Sequence, residues 1–228
     1  MLTRLLTPLV QLFYPHCCEV CGAELPAAAT LLCFRCIEAL PRTGFEQFTE
    51  NPVSRLFAGR VNTGHAFAVY YYHHTSALRQ LIHLFKYKKR QDVALWMGRQ
   101  MGLVLSQTTW AEEIDMLAPV PLFSRREKER GYNQSALLCK GIAEVIKKPV
   151  DNQLILRRQF TSTQTRKSRA ERWQNVADIF TVNSSLKDKH VLLVDDVITT
   201  GATTEACANA LLTQEARVSI CALAFTWH

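Results

Sequence analysis

An α/β fold built on a largely parallel sheet is what this sequence predicts, and three observations carry the prediction. Short apolar runs of strand length alternate with segments of helical periodicity. One of them, Val191 to Val194, is apolar at every position, as a strand buried on both faces must be. The 228 residues, 48% hydrophobic and 21% charged, have an ordinary globular composition and enough length for one substantial core with a small appendage. No apolar run approaches the ~20 residues needed to span a bilayer.

Taken in order, residues 1–16 carry Leu2, Leu5, Leu6, Leu9, Val10 and Phe13 at the spacing of a short amphipathic helix. Pro8, Gln11 and Pro15 interrupt this stretch, and no small-residue cleavage site follows, so it reads poorly as an export signal. Residues 15–42 form a cysteine-rich module ending at Pro41, and residues 43–64, with Gly44, Pro52, Gly59 and Gly64, read as a helix-poor connector. Ala66 to His73 is a strand rich in aromatic residues. Leu78, Leu81, Ile82 and Phe85 have helical spacing, and Val93 to Leu105 is a second helix. Met116 to Val120 is a short buried strand and Asn133 to Ile146 a helix. Leu154 to Leu156 and Asp178 to Val182 read as strands around a basic, Thr-rich stretch; Thr203 to Leu212 is a helix and Val218 to Phe225 a closing strand. The division expected is a module at 1–45 and an α/β domain at 60–228.

The formal charge is +7, but it is unevenly spread. Lys86 to Arg90, Arg125 to Arg130 and Arg157 to Arg172 hold 14 of the 27 lysines and arginines and three of the 20 acids. These segments carry +11 and the remainder −4, so the chain is not a polycation but has local anion-attracting stretches.

Five of the eight cysteines fall between Cys17 and Cys36. Cys18-x-x-Cys21 and Cys33-x-x-Cys36 make two CxxC pairs eleven residues apart, each offering two sulfurs from one knuckle to a tetrahedral Zn²⁺. Gly22 suits the tight backbone of such a knuckle, and Cys17 with Cys21 is an alternative at CxxxC spacing. Disulfides would require export. Cys139, Cys207 and Cys221 stand in apolar contexts and read as core. A reducing, cytoplasmic setting is the expectation.

The sharpest chemical signal is Val191 to Thr203: four apolar residues, Asp195 and Asp196, then Val-Ile, Thr199, Thr200, Gly201, Ala202 and Thr203. In an open α/β sheet, ligands bind beyond the carboxyl ends of the strands. Loop amides and a helix N-terminus there form a phosphate site, to which the hydroxyls add hydrogen bonds. Adjacent carboxylates would repel a bare anion, but they suit a sugar diol, with Mg²⁺ neutralising other phosphates nearby. A phospho-receiver domain would need about a hundred residues more, and only 32 follow Asp196. A P-loop ATPase would need GxxxxGK[ST], which is absent from the sequence. A plain strand and turn with an N-capping Thr explains one hydroxyl but not the paired acids and the Gly loop.

This segment resembles the phosphoribosyl-pyrophosphate (PRPP) motif of type I phosphoribosyltransferases. With the CxxC pairs, Phe85 to Lys89 (FKYKK), Ala118 to Leu122 (APVPL), Arg125-Arg126, Arg130-Gly-Tyr-Asn-Gln134, and the late T-x-x-Q-T-R with Arg172 and Asn175, the chain resembles the ComF family over nearly its whole length. The resemblance implies a zinc-ribbon-like N-terminal module before a type I phosphoribosyltransferase-like domain, in a family associated with competence and DNA uptake.

On that resemblance Asp195 and Asp196 bind the ribose hydroxyls, and Thr199, Thr200, Gly201, Ala202 and Thr203 cradle the 5-phosphate. The turn bearing Arg125, Arg126 and Arg130 faces the pyrophosphate, and Gln164, Arg166 and Arg172 belong to a mobile loop that closes over PRPP. Cys18, Cys21, Cys33 and Cys36 hold Zn²⁺, and Mg²⁺ accompanies PRPP or a related ribose phosphate. Lys86, Lys88 and Lys89 supply further anion contacts or bind nucleic acid. Two functions follow. One is a transferase that releases pyrophosphate, in nucleotide salvage or DNA uptake. The other is a non-catalytic PRPP-sensing adaptor that binds single-stranded DNA or a DNA-uptake helicase. Tyr70, Tyr71, Tyr72 and Tyr87 offer rings for base stacking in the second case, although aromatic residues on a strand more often belong to a core.

Overall fold

The computed structural model describes residues 16–26, 31–73, 76–157, 179–182 and 184–227; at Ser124, Arg125 and Arg126 only the backbone is described. The expected helix within residues 1–16 lies outside this range but for His16. Four strands form a parallel sheet in the order β1-β6-β5-β2: β1 Ala66–Tyr71, β2 Met116–Pro119, β5 His190–Ile198 and β6 Arg217–Phe225. Beyond β2, Val150 makes a single parallel bridge with Leu117, a rudimentary fifth strand. β3 Ile155–Arg157 and β4 Phe180–Val182 pair antiparallel as a separate ribbon.

The connections place the helices. After β1 come α3 Ala77–Tyr87 and α4 Gln91–Leu105, and after β2 come α5 Ser124–Arg130 and α6 Gln134–Ile146. Both crossovers, β1 to β2 and β2 to Val150, run toward the same edge, so the right-handed rule puts α4 and α6 on one face. They pack against each other there, α6 over β2 and β5. The crossover from β5 to β6 runs the other way, through α7 Ala202–Leu212, which packs on β5, β6 and the β3–β4 ribbon. The sheet is thus covered on both sides, and Val191 to Val194 is fully buried.

The contact of α4 with α6 is close enough to require glycine. A Cβ on Gly141 would lie 2.4 Å from the Leu95 carbonyl oxygen, and one on Gly98 would lie 2.4 Å from that of Leu138. Backbone occupies both places, so neither side can yield by a rotamer change.

Residues 43–64 differ from the helix-poor connector expected. They contain a 3₁₀ turn at Phe45–Gln47 and a helix, α2 Pro52–Phe57. Asn51 caps α2, accepting from the Val53 and Ser54 amides, while its own amide donates to the Ser54 hydroxyl. Pro52 stands at the first helical position, where a missing N–H costs nothing. The buried Asn51 side chain also donates to the Ala66 carbonyl and so ties α2 to the start of β1. Likewise the stretch expected as a turn bearing Arg125, Arg126 and Arg130 is the short helix α5, ended by Gly131 in the left-handed region at φ +84°.

The cysteine module, which carries the first helix, α1 Phe34–Glu38, docks on the sheet edge. Arg42 bridges Tyr70 antiparallel, and Thr43 donates its amide to the Val69 carbonyl. Glu19 accepts from Arg90 at 2.7 Å through its carboxylate and from Gln80 at 2.5 Å through its backbone carbonyl. Among the described residues no helix is long and apolar enough to cross a membrane.

Replacing Gly141 by Ala should lower unfolding stability by about 1–3 kcal/mol, the usual cost of overpacking a rigid contact. Chemical denaturation reads this directly, and an unchanged midpoint would contradict the close-packed seam.

Candidate functional site

β5 carries Asp195 and Asp196 to its C-terminal end, next to β6, where Ala222 stands opposite Asp195. All four carboxylate oxygens have donors. Asp195 Oδ1 accepts from the Asp196 amide at 2.8 Å, and Oδ2 accepts from the hydroxyl of buried Thr204 at 2.9 Å. Asp196 Oδ1 accepts from the Val197 amide at 2.7 Å, and Oδ2 is 2.7 Å from Lys86 Nζ. Burial, and then the neighbouring Asp196 charge, push Asp195 up to about 7.

After β5 the chain turns through Thr199 and Thr200, both exposed, to Gly201. Gly201 is the N-cap of α7 with φ +74°, and a Cβ there would also lie 3.1 Å from the Phe57 ring. The left-handed geometry favours glycine, and the close ring leaves little room for a Cβ. Gly201 has no side chain to cap α7, and the Thr200 hydroxyl accepts from the Ala202 amide at 3.5 Å, which sets a threonine hydroxyl against the first amide of the helix.

These groups open on a cavity of about 650 Å³. One wall is Asp195, Asp196, Val197, Thr199 and Thr203; another is Val120 to Phe123, which follow β2; Arg130 and Arg157 add positive charge. The third wall is α3, where Arg79, His83 and Lys86 share a face at i, i+4 and i+7. The segment 130–134 braces this wall. The Tyr132 hydroxyl donates to the Phe85 carbonyl, and the Arg130 guanidinium lies 5.6 Å from the centroid of the Tyr87 ring. Asn133 caps α6 and donates to the Val120 carbonyl, so the end of β2, the start of α6 and the last turn of α3 are held together.

Of the residues expected here, Asp195, Asp196, Thr199, Thr203 and Arg130 line the cavity, and Thr200, Gly201 and Ala202 form the loop and helix start beside it. Gln164, Arg166 and Arg172 lie outside the described residues. Arg125 and Arg126 are placed on α5 by backbone alone. Sequence reasoning missed Lys86 as the partner of Asp196 and Thr204 as the partner of Asp195. The polar stripe Arg79, His83, Lys86 on an otherwise apolar helix was the available signal for the first.

A second cluster lies in the cysteine module. The sulfurs of Cys18, Cys21, Cys33 and Cys36 all fall within 4.8 Å of one another. Gly22, at φ +70°, closes the first knuckle by donating its amide to the Cys18 carbonyl. Burial raises the Cys18 thiol, but donors from the Cys21, Cys33 and Val20 backbone outweigh it and bring it down to about 6. Burial and the surrounding thiols push Cys36 up to about 12. Four soft donors at this spacing, one already favouring the thiolate, fit a tetrahedral metal. Cys17 stands outside the cluster and pairs with Glu24 through a backbone bridge. Cys139, Cys207 and Cys221 are buried free thiols, as core residues should be.

Comparison with known proteins bears on the family of the chain. Residues 135–226 match the phosphoribosyl transferase domain family. The DNA utilization protein YhgH of Salmonella typhimurium is 33% identical over 86% of this chain and 77% of its own length. Competence protein F of Haemophilus influenzae is 31% identical over 58% of this chain, and competence protein ComFC of Bacillus subtilis 28% over 65%. The chain spans about three fifths of the length of these last two relatives. With a phosphoribosyltransferase domain of α/β fold behind a four-cysteine cluster, the chain belongs to the ComF/YhgH family.

Proposed function

We propose that the cavity binds PRPP, or a related ribose phosphate, together with Mg²⁺. The observation that carries this reading is the junction of β5 and α7: paired carboxylates a few residues before a glycine-led helix start with three threonines. Asp195 and Asp196 accept from the ribose 2- and 3-hydroxyls, while the Thr199 and Thr203 hydroxyls and the α7 amides hold the 5-phosphate. Arg130, with Arg125 and Arg126 on the same helix, faces the pyrophosphate, and Gln164, Arg166 and Arg172 close over it. The carboxylates are hard oxygen donors of the kind Mg²⁺ takes, and its charge, when it is bound, would offset that of the departing pyrophosphate. The reaction such a site suits is displacement of pyrophosphate at ribose C1, which the basic wall favours by holding the leaving group's charge. The acceptor is supplied by a base or other nucleophile entering above the ribose.

The paired acids should be indispensable. Asp196→Asn should weaken PRPP binding at least tenfold by isothermal titration with Mg²⁺ present and leave the protein folded by circular dichroism. Wild-type affinity in the Asp195→Asn, Asp196→Asn double variant would refute the assignment. A pH series tests Asp195 separately. Its pKa is raised to about 7, and its protonated form has one fewer acceptor, so PRPP affinity should fall as pH drops below 7, by up to about tenfold per unit for one proton. Asp195→Asn should flatten that slope relative to wild type.

The cysteine cluster is read as a structural Zn²⁺ site for Cys18, Cys21, Cys33 and Cys36. Protein purified without chelator should carry close to one zinc per chain by elemental analysis. Cys21→Ser or Cys33→Ser should bring it below half, and less than half a zinc in the wild type would count against the site.

A second reading, the PRPP-sensing adaptor, is favoured by one surface. Tyr87 is 64% exposed at the end of α3, followed by exposed Lys88 and Lys89, whereas Tyr70 is buried. Such a surface suits single-stranded DNA, with stacking on Tyr87 and phosphates on the lysines. Incubation with PRPP, Mg²⁺ and a panel of nucleobases separates the two. Pyrophosphate release selects the transferase. Saturable PRPP binding without release, together with salt-sensitive binding of a single-stranded oligonucleotide that Tyr87→Ala weakens, selects the adaptor.

A further inference from the structure

The pair between Lys86 and Asp196 goes beyond what a ribose site needs. At 2.7 Å, with side chains only 16% and 15% exposed, it is a largely enclosed ion pair inside the cavity rather than a surface contact. Of the four carboxylate oxygens, three are held by fixed donors: two strand amides and the buried Thr204 hydroxyl. Only Asp196 Oδ2 is held by a group on a flexible stem, the Lys86 ammonium. Lys86 stands on the braced end of α3, fixed through the Tyr132–Phe85 hydrogen bond, and the same cavity holds Arg130 on the side assigned to pyrophosphate.

We infer that Lys86 is the resident counter-cation of the acidic pair and excludes a divalent metal from Asp196 until a polyphosphate ligand draws the ammonium away. An ammonium and a divalent cation cannot share one carboxylate oxygen without strong repulsion at close range in a site largely closed to water. Without Lys86, two adjacent carboxylates would attract any divalent ion unselectively. With it, the pair carries about one net negative charge fewer, and metal alone has no exposed partner. A pyrophosphate group offers Lys86 a better anion and brings its own metal-binding oxygens. Metal and ligand therefore enter together, and ligands without pyrophosphate recruit metal poorly.

The inference rests on the PRPP reading only for the identity of the ligand; its metal arm does not. Mn²⁺ serves as the probe, with binding to the whole zinc-loaded chain followed by electron paramagnetic resonance of the free ion. Wild type without PRPP should bind Mn²⁺ at least tenfold more weakly than Lys86→Met. Lys86→Arg, which keeps the charge, should behave as wild type. Asp196→Asn added to Lys86→Met should remove the gain, showing that the new site is this carboxylate. PRPP should raise Mn²⁺ affinity more than tenfold in wild type and by a smaller factor in Lys86→Met. A direct rise in Mn²⁺ affinity is not what a misfolded variant gives, and Lys86→Gln repeats the test with a polar isostere. Equal Mn²⁺ affinity in wild type, Lys86→Met and Lys86→Gln would overturn the role of Lys86, whatever PRPP does. Failure of PRPP to bind any form would instead overturn the ligand assignment and leave the metal comparison standing.

Discussion

Two carboxylates on consecutive residues at the end of a buried strand are the constraint around which the molecule is arranged. Left alone they would repel each other and lose their hydration, so every oxygen must find a donor. The donors come from separate parts of the chain: strand amides, a buried threonine on α7, and a lysine on α3. The lysine reaches from α3, which its buried Leu78, Leu81, Ile82 and Phe85 hold in the core, to the end of β5, and so ties two walls of the cavity together. Even so, Asp195 keeps a raised pKa, so the site retains part of the cost of holding the pair together.

The same economy appears in how the walls are fixed. The segment 130–134 caps α6, holds the end of β2 and clasps the last turn of α3 with one arginine, one tyrosine and one asparagine. On the far side of β5, Gly201 lets α7 begin in contact with Phe57 of α2, so the loop of threonines rests on a packed ring. Arg60 and Glu205, 3.0 Å apart, add an ion pair across the same seam. The cysteine module is joined to this frame through Glu19, Arg42 and Thr43, at the edge of β1 and the start of α4.

Much of this was legible in the sequence because the signals were local. An apolar run, two acids and a Thr/Gly loop specify strand, site and helix start without knowledge of any partner. Paired CxxC turns do the same for the metal cluster. What escaped was tertiary or positional. α2 was hidden because Pro52 reads as a breaker unless Asn51 is recognised as its cap and Ser54 as the returning partner. Along the sequence Lys86 groups with Lys88 and Lys89 as a contact for anions or nucleic acid, yet the run divides. Lys86 turns into the cavity, Arg90 is committed to Asp92 and Glu19, and Lys88 and Lys89 stay at the surface. Charge counted along a chain cannot show which cations a fold neutralises internally.

The central claim is that the acidic pair and the α7 loop form one ribose phosphate site. A crystal structure of the chain with PRPP and Mg²⁺ tests it most directly. The account predicts the ribose hydroxyls on Asp195 and Asp196, the 5-phosphate on Thr199 to Thr203, and Lys86 withdrawn from Asp196. A ligand seated elsewhere, on Lys88 and Lys89 for instance, with the Lys86–Asp196 pair intact, would contradict it.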